Sequence, residues 1–192
     1  MTPEARALLK RLEEEGQAHD AKEPDHSRRM LNLEPPTAEL VSILVQSSRA
    51  RRVLEIGTSN GYSTIWLAAS VAAAGGRVVS IDRSSWKHQM ARDNLSQAGL
   101  LEHVDLCLGE AADVIASLPG PFDFVFFDAD RISAPAQLNL LVPKLARPAL
   151  MLADNALSHP DQIAGYLAAV RGMQWQHVVV PVGKGLSIAY AS

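Results

Sequence analysis

Cysteine is nearly absent: of 192 residues only Cys107 carries a thiol, so no internal disulfide can staple the fold. Its setting, Val104-Asp105-Leu106-Cys107-Leu108, reads as a small hydrophobe in an apolar run rather than a nucleophile. A basic surplus is also missing. The formal net charge of -3 removes the field that draws proteins to polyphosphate irrespective of sequence. No apolar run is long enough to span a bilayer; the longest ends at Ala74 and is interrupted by Ser70. The charged stretch from Glu4 to Glu15 is not followed by an apolar segment, which argues against a signal peptide and sets a cytoplasmic protein as the expectation. Gly-x-Gly-x-x-Gly is lacking, as is a Gly-rich loop ending in Lys-Ser or Lys-Thr, which disfavours a dinucleotide or a nucleoside triphosphate.

What is present is a chain with 47% hydrophobic residues, enough to bury one sizeable core and read as a single domain over 1–192. From Arg51 onward, β-branched runs alternate with segments of helical period, the pattern of an α/β protein with a mostly parallel sheet covered on both faces. Strands are expected at 53–56, 78–81, 104–108, 124–127, 150–153, 176–180 and 186–190. Helices are expected at 63–74, 86–98, 111–118, 134–145 and about 161–171. The link Pro181-Val182-Gly183-Lys184-Gly185 fits a hairpin, so the last strand should run antiparallel. The first 36 residues form an arm with a charged helix from about Pro3 to Glu15, followed by a polar stretch. A second helix begins near Pro36 or Thr37 and opens the core at 37–192. The arm either covers the site or pairs subunits; its residues alone leave both open.

In an open α/β sheet, ligands bind beyond the carboxyl ends of the strands. After the first strand, Gly57 and Gly61 bracket Thr58-Ser59-Asn60, which lets the backbone turn tightly before a helix opens at Ser63. Asp82 ends the second strand 21 positions past Gly61, close to the spacing at which a carboxylate accepts from ribose hydroxyls. It could instead cap the next helix, unless Ser84 or Ser85 does so. Gly109-Glu110-Ala111 follows the third strand. The fourth strand ends in Asp128-Ala129-Asp130-Arg131 and the fifth in Asp154-Asn155. Three carboxylates and an amide on adjacent strand ends are hard oxygen donors suited to Mg²⁺, Mn²⁺ or Ca²⁺. The alternative is that they cap helices or pair with Arg131.

Taken together, Val53-Leu54-Glu55-Ile56-Gly57-Thr58-Ser59-Asn60-Gly61-Tyr62-Ser63 resembles the first motif of class I methyltransferases, which have a Rossmann-like seven-stranded fold. More narrowly, the chain resembles the cation-dependent O-methyltransferases of the catechol and caffeoyl-CoA type over roughly Pro36 to Ala191. The segments Phe122 to Asp130, Leu152 to Asn155 and Pro181 to Leu186 carry this likeness. The resemblance implies S-adenosylmethionine bound by Glu55, Gly57, Thr58, Ser59, Gly61, Ser63, Asp82 and Ala111. It also implies a divalent cation on Asp128, Asp154 and Asn155, with Asp130 near a small hydroxyl-bearing acceptor. The cation would orient and activate that acceptor. A homodimer is the family expectation.

Two departures stand out. Many relatives carry Lys three positions after the first metal Asp, as the base; this chain has Arg131, which can stabilise a phenolate but hardly accept its proton. Solvent, Asp130 or His159 is then the acceptor of that proton, although His159, just before Pro160, also reads as an ordinary residue at the start of a helix. Where relatives turn on Gly-Gly, this chain has Ala146-Arg147-Pro148, away from the chemistry. Trp66, Trp86 and Trp175 are expected largely in the core, with Trp86, near Asp82, placed to stack on a ligand. Three other functions remain in view. Asp128-Ala129-Asp130 also reads as the Asp-x-Asp of a metal-dependent glycosyltransferase. Arg49, Arg51 and Arg52 would suit methylation of hydroxylated uridine in transfer RNA. Arg131 would suit a binding protein without catalysis.

Overall fold

The computed structural model describes residues 1–192. Seven strands form one sheet in the order β3-β2-β1-β4-β5-β7-β6. In chain order they are β1 (Arg52–Ile56), β2 (Arg77–Asp82), β3 (Val104–Leu108), β4 (Phe122–Phe127), β5 (Leu145–Ala153), β6 (Gln176–Val180) and β7 (Leu186–Ala191). The first five pair in parallel, whereas β7 lies antiparallel between β5 and β6. This is the expected Rossmann-like architecture. The helices are α1 (Pro3–Asp20), α2 (Pro35–Ser47), α3 (Tyr62–Ala72), α4 (Ser85–Gln97), α5 (Ala111–Ser117), α6 (Ala134–Leu141) and α7 (Pro160–Gly172). No helix is long and apolar enough to cross a membrane.

The two faces of the sheet bury separate cores because strand residues alternate sides. On one face Val53, Val78, Phe124, Phe126 and Leu152 pack against α1, α2, α3 and α4. On the other Leu54, Ile56, Ile81, Val125 and Met151 pack against α5, α6 and α7. Trp66 borders the first core and Trp175 the second, as their apolar surroundings predict.

Boundaries moved where proline intervenes. The helix expected to run to 145 stops at Leu141 and tightens into a 3-10 turn over Val142–Lys144, since Pro143 has no N–H to continue the ladder. Strand β5 begins at Leu145, five residues before the expected 150. Its register against β4 jumps from Phe122↔Leu145 to Phe124↔Leu150, so Ala146-Arg147-Pro148 bulges out of the ladder.

The N-terminal arm packs on the sheet's own helices. Ala5, Leu8, Leu9 and Leu12 of α1 are buried in the first core. The chain then doubles back: the Asp20 carboxylate accepts from the N–H groups of Met30 and Leu31 at 2.7 and 2.8 Å, and Asn32 Nδ2 donates to Leu12 O. Gly16 lies where the two limbs cross, and a Cβ there would sit 2.6 Å from Asn32 Nδ2. Of the two roles open to the arm, covering is the one visible within a single chain.

Candidate active site at the strand ends

Four of the five loops leaving the parallel strands start with ladder bonds to a neighbouring strand, which brings them level. Gly57 and Thr58 both donate to Ile81 O, Gly109 to Asp82 O, Asp128 to Ile56 O, and Asp154 to Phe127 O, at 2.9 to 3.2 Å. Gly57 adopts φ +108, and a Cβ there would lie 2.1 Å from Asp128 O; only glycine fits between the first and fourth loops. Gly61, at φ +87, is the N-cap of α3 and lies against Ala91 of α4.

The first half of the site is closed and saturated. Glu55 is fully buried, and its carboxylate accepts from Ser63 Oγ at 2.6 Å, Thr64 Oγ1 at 2.5 Å and Ser80 Oγ at 2.6 Å. Thr58 Oγ1 meets Ser80 Oγ at 2.6 Å. Burial pushes the Glu55 carboxyl up to about 7, against the pull of those three hydroxyls. Glu55, Thr58 and Ser63 thus turn their side chains inward and brace the loop, leaving its backbone to face a ligand. Asp82 is half-buried; its two oxygens accept from Ser59 N and Ser84 N, each at 2.8 Å. Ser84 caps α4 through its own hydroxyl, so Asp82 does not. Ala111 opens α5, half-buried, just past Gly109.

The arm lies over this half. Ser59 Oγ donates to Met30 O at 2.7 Å and Lys87 Nζ to Arg29 O at 2.6 Å. Trp86 is exposed rather than in the core, facing His19 and, at 5.9 Å, the guanidinium of Arg28.

The second half is neither closed nor satisfied. Asp154 and Asn155 are buried at the end of β5, and Asp128 is half-buried at the end of β4. Asn155 takes the left-handed φ +64, and its Nδ2 donates to Asp154 Oδ2 at 2.8 Å. Asp154 Oδ1 is buried with no partner. Burial first, and then the charge of Asp154, raises the Asp128 carboxyl well above its usual range. Burial first, and Glu34 among the neighbouring charges, raises Asp154. A buried and a half-buried carboxylate that repel one another, with one oxygen orphaned, are chemically suited to a divalent cation. No group of three His, Cys, Asp or Glu side chains gathers here as a ready cage.

Asp130 lines the same pocket as Asp128, Asp154 and Asn155. It is exposed, and its oxygens accept from Ile132 N and Ser133 N at 3.2 and 3.1 Å. Against the raising effect of its partial burial, those bonds and Arg83 hold it below the usual range, making it a poor base. An Asp-x-Asp clamp on one ion is therefore not formed. Arg131 lines a pocket with Asp128, Asp154 and Asn155, and its Nε donates to Gln162 Oε1 at 3.0 Å. His159 is the N-cap of α7 and meets Ser158 Oγ through Nδ1 at 2.8 Å. The basic cluster sits at the opposite end of β1: Arg51 N and Arg52 N bind Asp123, and Arg52 stacks on Phe122. Nothing there faces the strand-end site.

Several participants escaped the sequence reading. Ser80 had a faint signal, a polar residue inside an apolar strand, in register with Glu55. Glu34 and Lys184 form an ion pair of 2.8 Å between the start of α2 and the β6–β7 turn. Most of the chain separates them, and no local pattern joins them.

A seven-stranded sheet with an antiparallel β7 and a braced glycine loop beside an acidic strand end defines a Rossmann-like methyltransferase fold. The chain belongs to the O-methyltransferase family, whose model matches residues 4–181. It is 39% identical over 120 residues to a catechol O-methyltransferase of Mycobacterium tuberculosis, covering 62% of this chain and 54% of that protein. With a catechol O-methyltransferase of Niastella koreensis it shares 32% over 132 residues, covering 66% and 59%. The chain thus spans little more than half the length of these curated relatives. Among solved structures, an O-methyltransferase from Bacillus cereus in complex with SAH superposes with TM-score 0.80 at 26% identity, covering 97% of this chain and 91% of that one. The O-methyltransferase TomG from Streptomyces achromogenes, in complex with SAM, gives 0.78 at 27%, covering 96% and 89%.

Proposed function

We propose that this protein transfers the methyl group of S-adenosylmethionine to a hydroxyl of a small catechol-like acceptor, with a divalent cation held by Asp128, Asp154 and Asn155. The observation that carries the reading is the orphaned, buried Oδ1 of Asp154 next to Asp128, one loop away from the Gly57–Gly61 turn. The SAM- and SAH-bound relatives support the methyl donor. The catechol O-methyltransferases support the acceptor class.

When bound, the cation supplies Lewis-acid stabilisation of an acceptor oxygen and fixes its orientation. The chain's own residues do the rest. Gly57 and Gly61 let the loop backbone approach the donor, and Asp82 accepts from ribose hydroxyls with lone pairs not used by Ser59 and Ser84. Arg131, always protonated, stabilises negative charge on the acceptor and cannot remove a proton. Asp130 accepts from Ile132 N and Ser133 N, and those bonds hold it below its usual range, which disfavours it as the proton's acceptor. The proton passes to solvent or to His159, which slight burial and the charges of Arg131 and Lys184 hold below the ordinary histidine value.

Calorimetry with SAH, followed by methyl transfer to catechol with Mg²⁺ and with a chelator, tests this reading. Binding in the first, and turnover lost on chelation in the second, are the expected results. Failure to bind SAH overturns the reading, and turnover indifferent to the chelator overturns the cation's role.

A further inference from the structure

The helix that follows the acidic loop turns a polar side chain into the cavity it borders. Ala134 and Gln137 are three residues apart on α6 and so share a face, and both line the same cavity as Asp128, Asp154 and Asn155. Leu138 and Leu141, further round the helix, are buried in the second core. The cavity holds about 10 Å³, the lower bound for one water molecule, and Ile56, Phe127 and Ile163 form its apolar wall. Gln137 is 5% exposed, and its Oε1 is buried without a partner. The amide is held by its other end. Its Nε2 donates to Ser133 Oγ at 2.9 Å, while that hydroxyl gives its own proton to Asp130 O at 3.2 Å. A hydroxyl whose proton is spent can only accept from Gln137, which fixes the orientation of the amide and leaves its carbonyl oxygen to the cavity.

A buried carbonyl without a donor bears the full cost of leaving water, a cost that an apolar side chain of the same shape would not carry. The chain supplies no such donor. Of the side chains with N–H groups on the cavity wall, Arg131 spends its Nε on Gln162 and Asn155 its amide on Asp154 Oδ2, and neither reaches Gln137 Oε1. Asp154, whose Oδ1 is also buried and unpartnered, lines the same cavity. The two orphaned oxygens call for different partners: a cation answers a carboxylate, and an O–H group answers a neutral carbonyl. One hydrated ion supplies both, since small divalent cations keep several of their waters when protein carboxylates bind them.

We propose that Gln137 is a positioning residue of the cation site, its Oε1 accepting from a hydration water that the ion on Asp128, Asp154 and Asn155 carries into this cavity. This rests on the divalent cation proposed above. Gln137 adds no charge to a site that already has two carboxylates, and it acts on the affinity and orientation of the ion rather than on the methyl group.

The test titrates Mn²⁺ into the SAH complex by calorimetry and follows thermal melting with and without the ion, for the unaltered protein, Gln137→Met and Gln137→Glu. Methionine keeps the length of the side chain and removes the acceptor. It should weaken Mn²⁺ binding by about tenfold or more, the scale for an outer partner of a metal site. The metal-free melting midpoint should stay unchanged or rise, because an unsatisfied oxygen is gone. Gln137→Glu, which keeps an acceptor in place, should retain the affinity or raise it. A merely structural glutamine gives the opposite pattern, a lower metal-free midpoint with Mn²⁺ affinity kept. The inference is overturned if Gln137→Met binds Mn²⁺ as tightly as the unaltered protein, if its metal-free midpoint falls, or if the glutamate variant binds as weakly as the methionine one. An unaltered protein that binds SAH and takes up no Mn²⁺ would instead remove the cation on which the inference rests.

Discussion

The two halves of the strand-end site treat buried carboxylates in opposite ways. At the β1–β2 end, Glu55 is surrounded by three hydroxyls that each donate to it, and the loop above is tied to the arm through Ser59. At the β4–β5 end, Asp128 and Asp154 repel one another, and Asp154 keeps an oxygen without a partner. A buried anion satisfied by its own chain acts as a strut, whereas one left wanting leaves hydrogen-bonding or ligating capacity unspent. The difference separates carboxylates fixed by their own chain from carboxylates that are not, a distinction that motif membership alone blurs.

The contrast can be broken most severely at the glycine joining the halves. Gly57→Ala should abolish SAH binding and lower stability by about 3 kcal/mol or more, because the new methyl meets the Asp128 carbonyl at a positive φ. Calorimetry and thermal melting read both, and an alanine variant that binds normally would show the close approach to be slack. Next, Asp154→Asn should reduce cation-dependent turnover by about a hundredfold, the upper range for disturbing a metal site, while leaving the thermal midpoint unchanged or higher since a repelling charge is gone. A fall in both together would make Asp154 a strut like Glu55.

The third test turns on pH. Glu55 is raised from its ordinary value to about 7, so its ionisation is harder in the folded state than in the unfolded chain. Its contribution is fully present below the unfolded value and is lost as pH rises through about 7. That loss should amount to on the order of 3 kcal/mol between pH 5 and pH 8.5. Glu55→Gln should flatten that dependence, and an equally steep melting profile in the variant would place the titration elsewhere. The smallest effect concerns the arm. Asp20→Ala removes the acceptor for Met30 N and Leu31 N, costing about 1 kcal/mol and speeding proteolysis between residues 21 and 34. Unchanged cleavage there would mean that Ser59 and Lys87 suffice to hold the arm.

Much of this was legible because strand ends in an α/β sheet are marked by distinct residue types: Gly57 and Gly61 at tight turns, and Asp82, Asp128 and Asp154 at or just beyond the ends of the strands. The strand runs and the final hairpin announced themselves through β-branched periodicity. What escaped were pairings across distance. Ser80 reaches Glu55 only because β1 and β2 are in register, and Lys184 meets Glu34 only because the β6–β7 turn falls beside α2. The early start of β5 was hidden by Pro148, which reads as an interruption although the ladder resumes beyond it. Asp130 shows a further gap. Its place in a motif suggested a role at the acceptor; it lines the pocket with Asp128 and Asp154, while its loop N–H groups, which no motif announces, bind each of its oxygens.

The position of β7 carries a consequence for how the protein is made. Because β7 lies between β5 and β6, β6 is synthesised before the strand it pairs with, and β5 has no partner on that side until the ribosome has passed Leu186. The turn leading into β7 also supplies the carbonyls of Lys184 and Gly185 that hold residues 156 to 158. The nascent chain therefore completes the loop after Asp154 and Asn155 only once the β6–β7 turn has been made, and a polypeptide released before that turn would carry the acidic residues without the frame that arranges them.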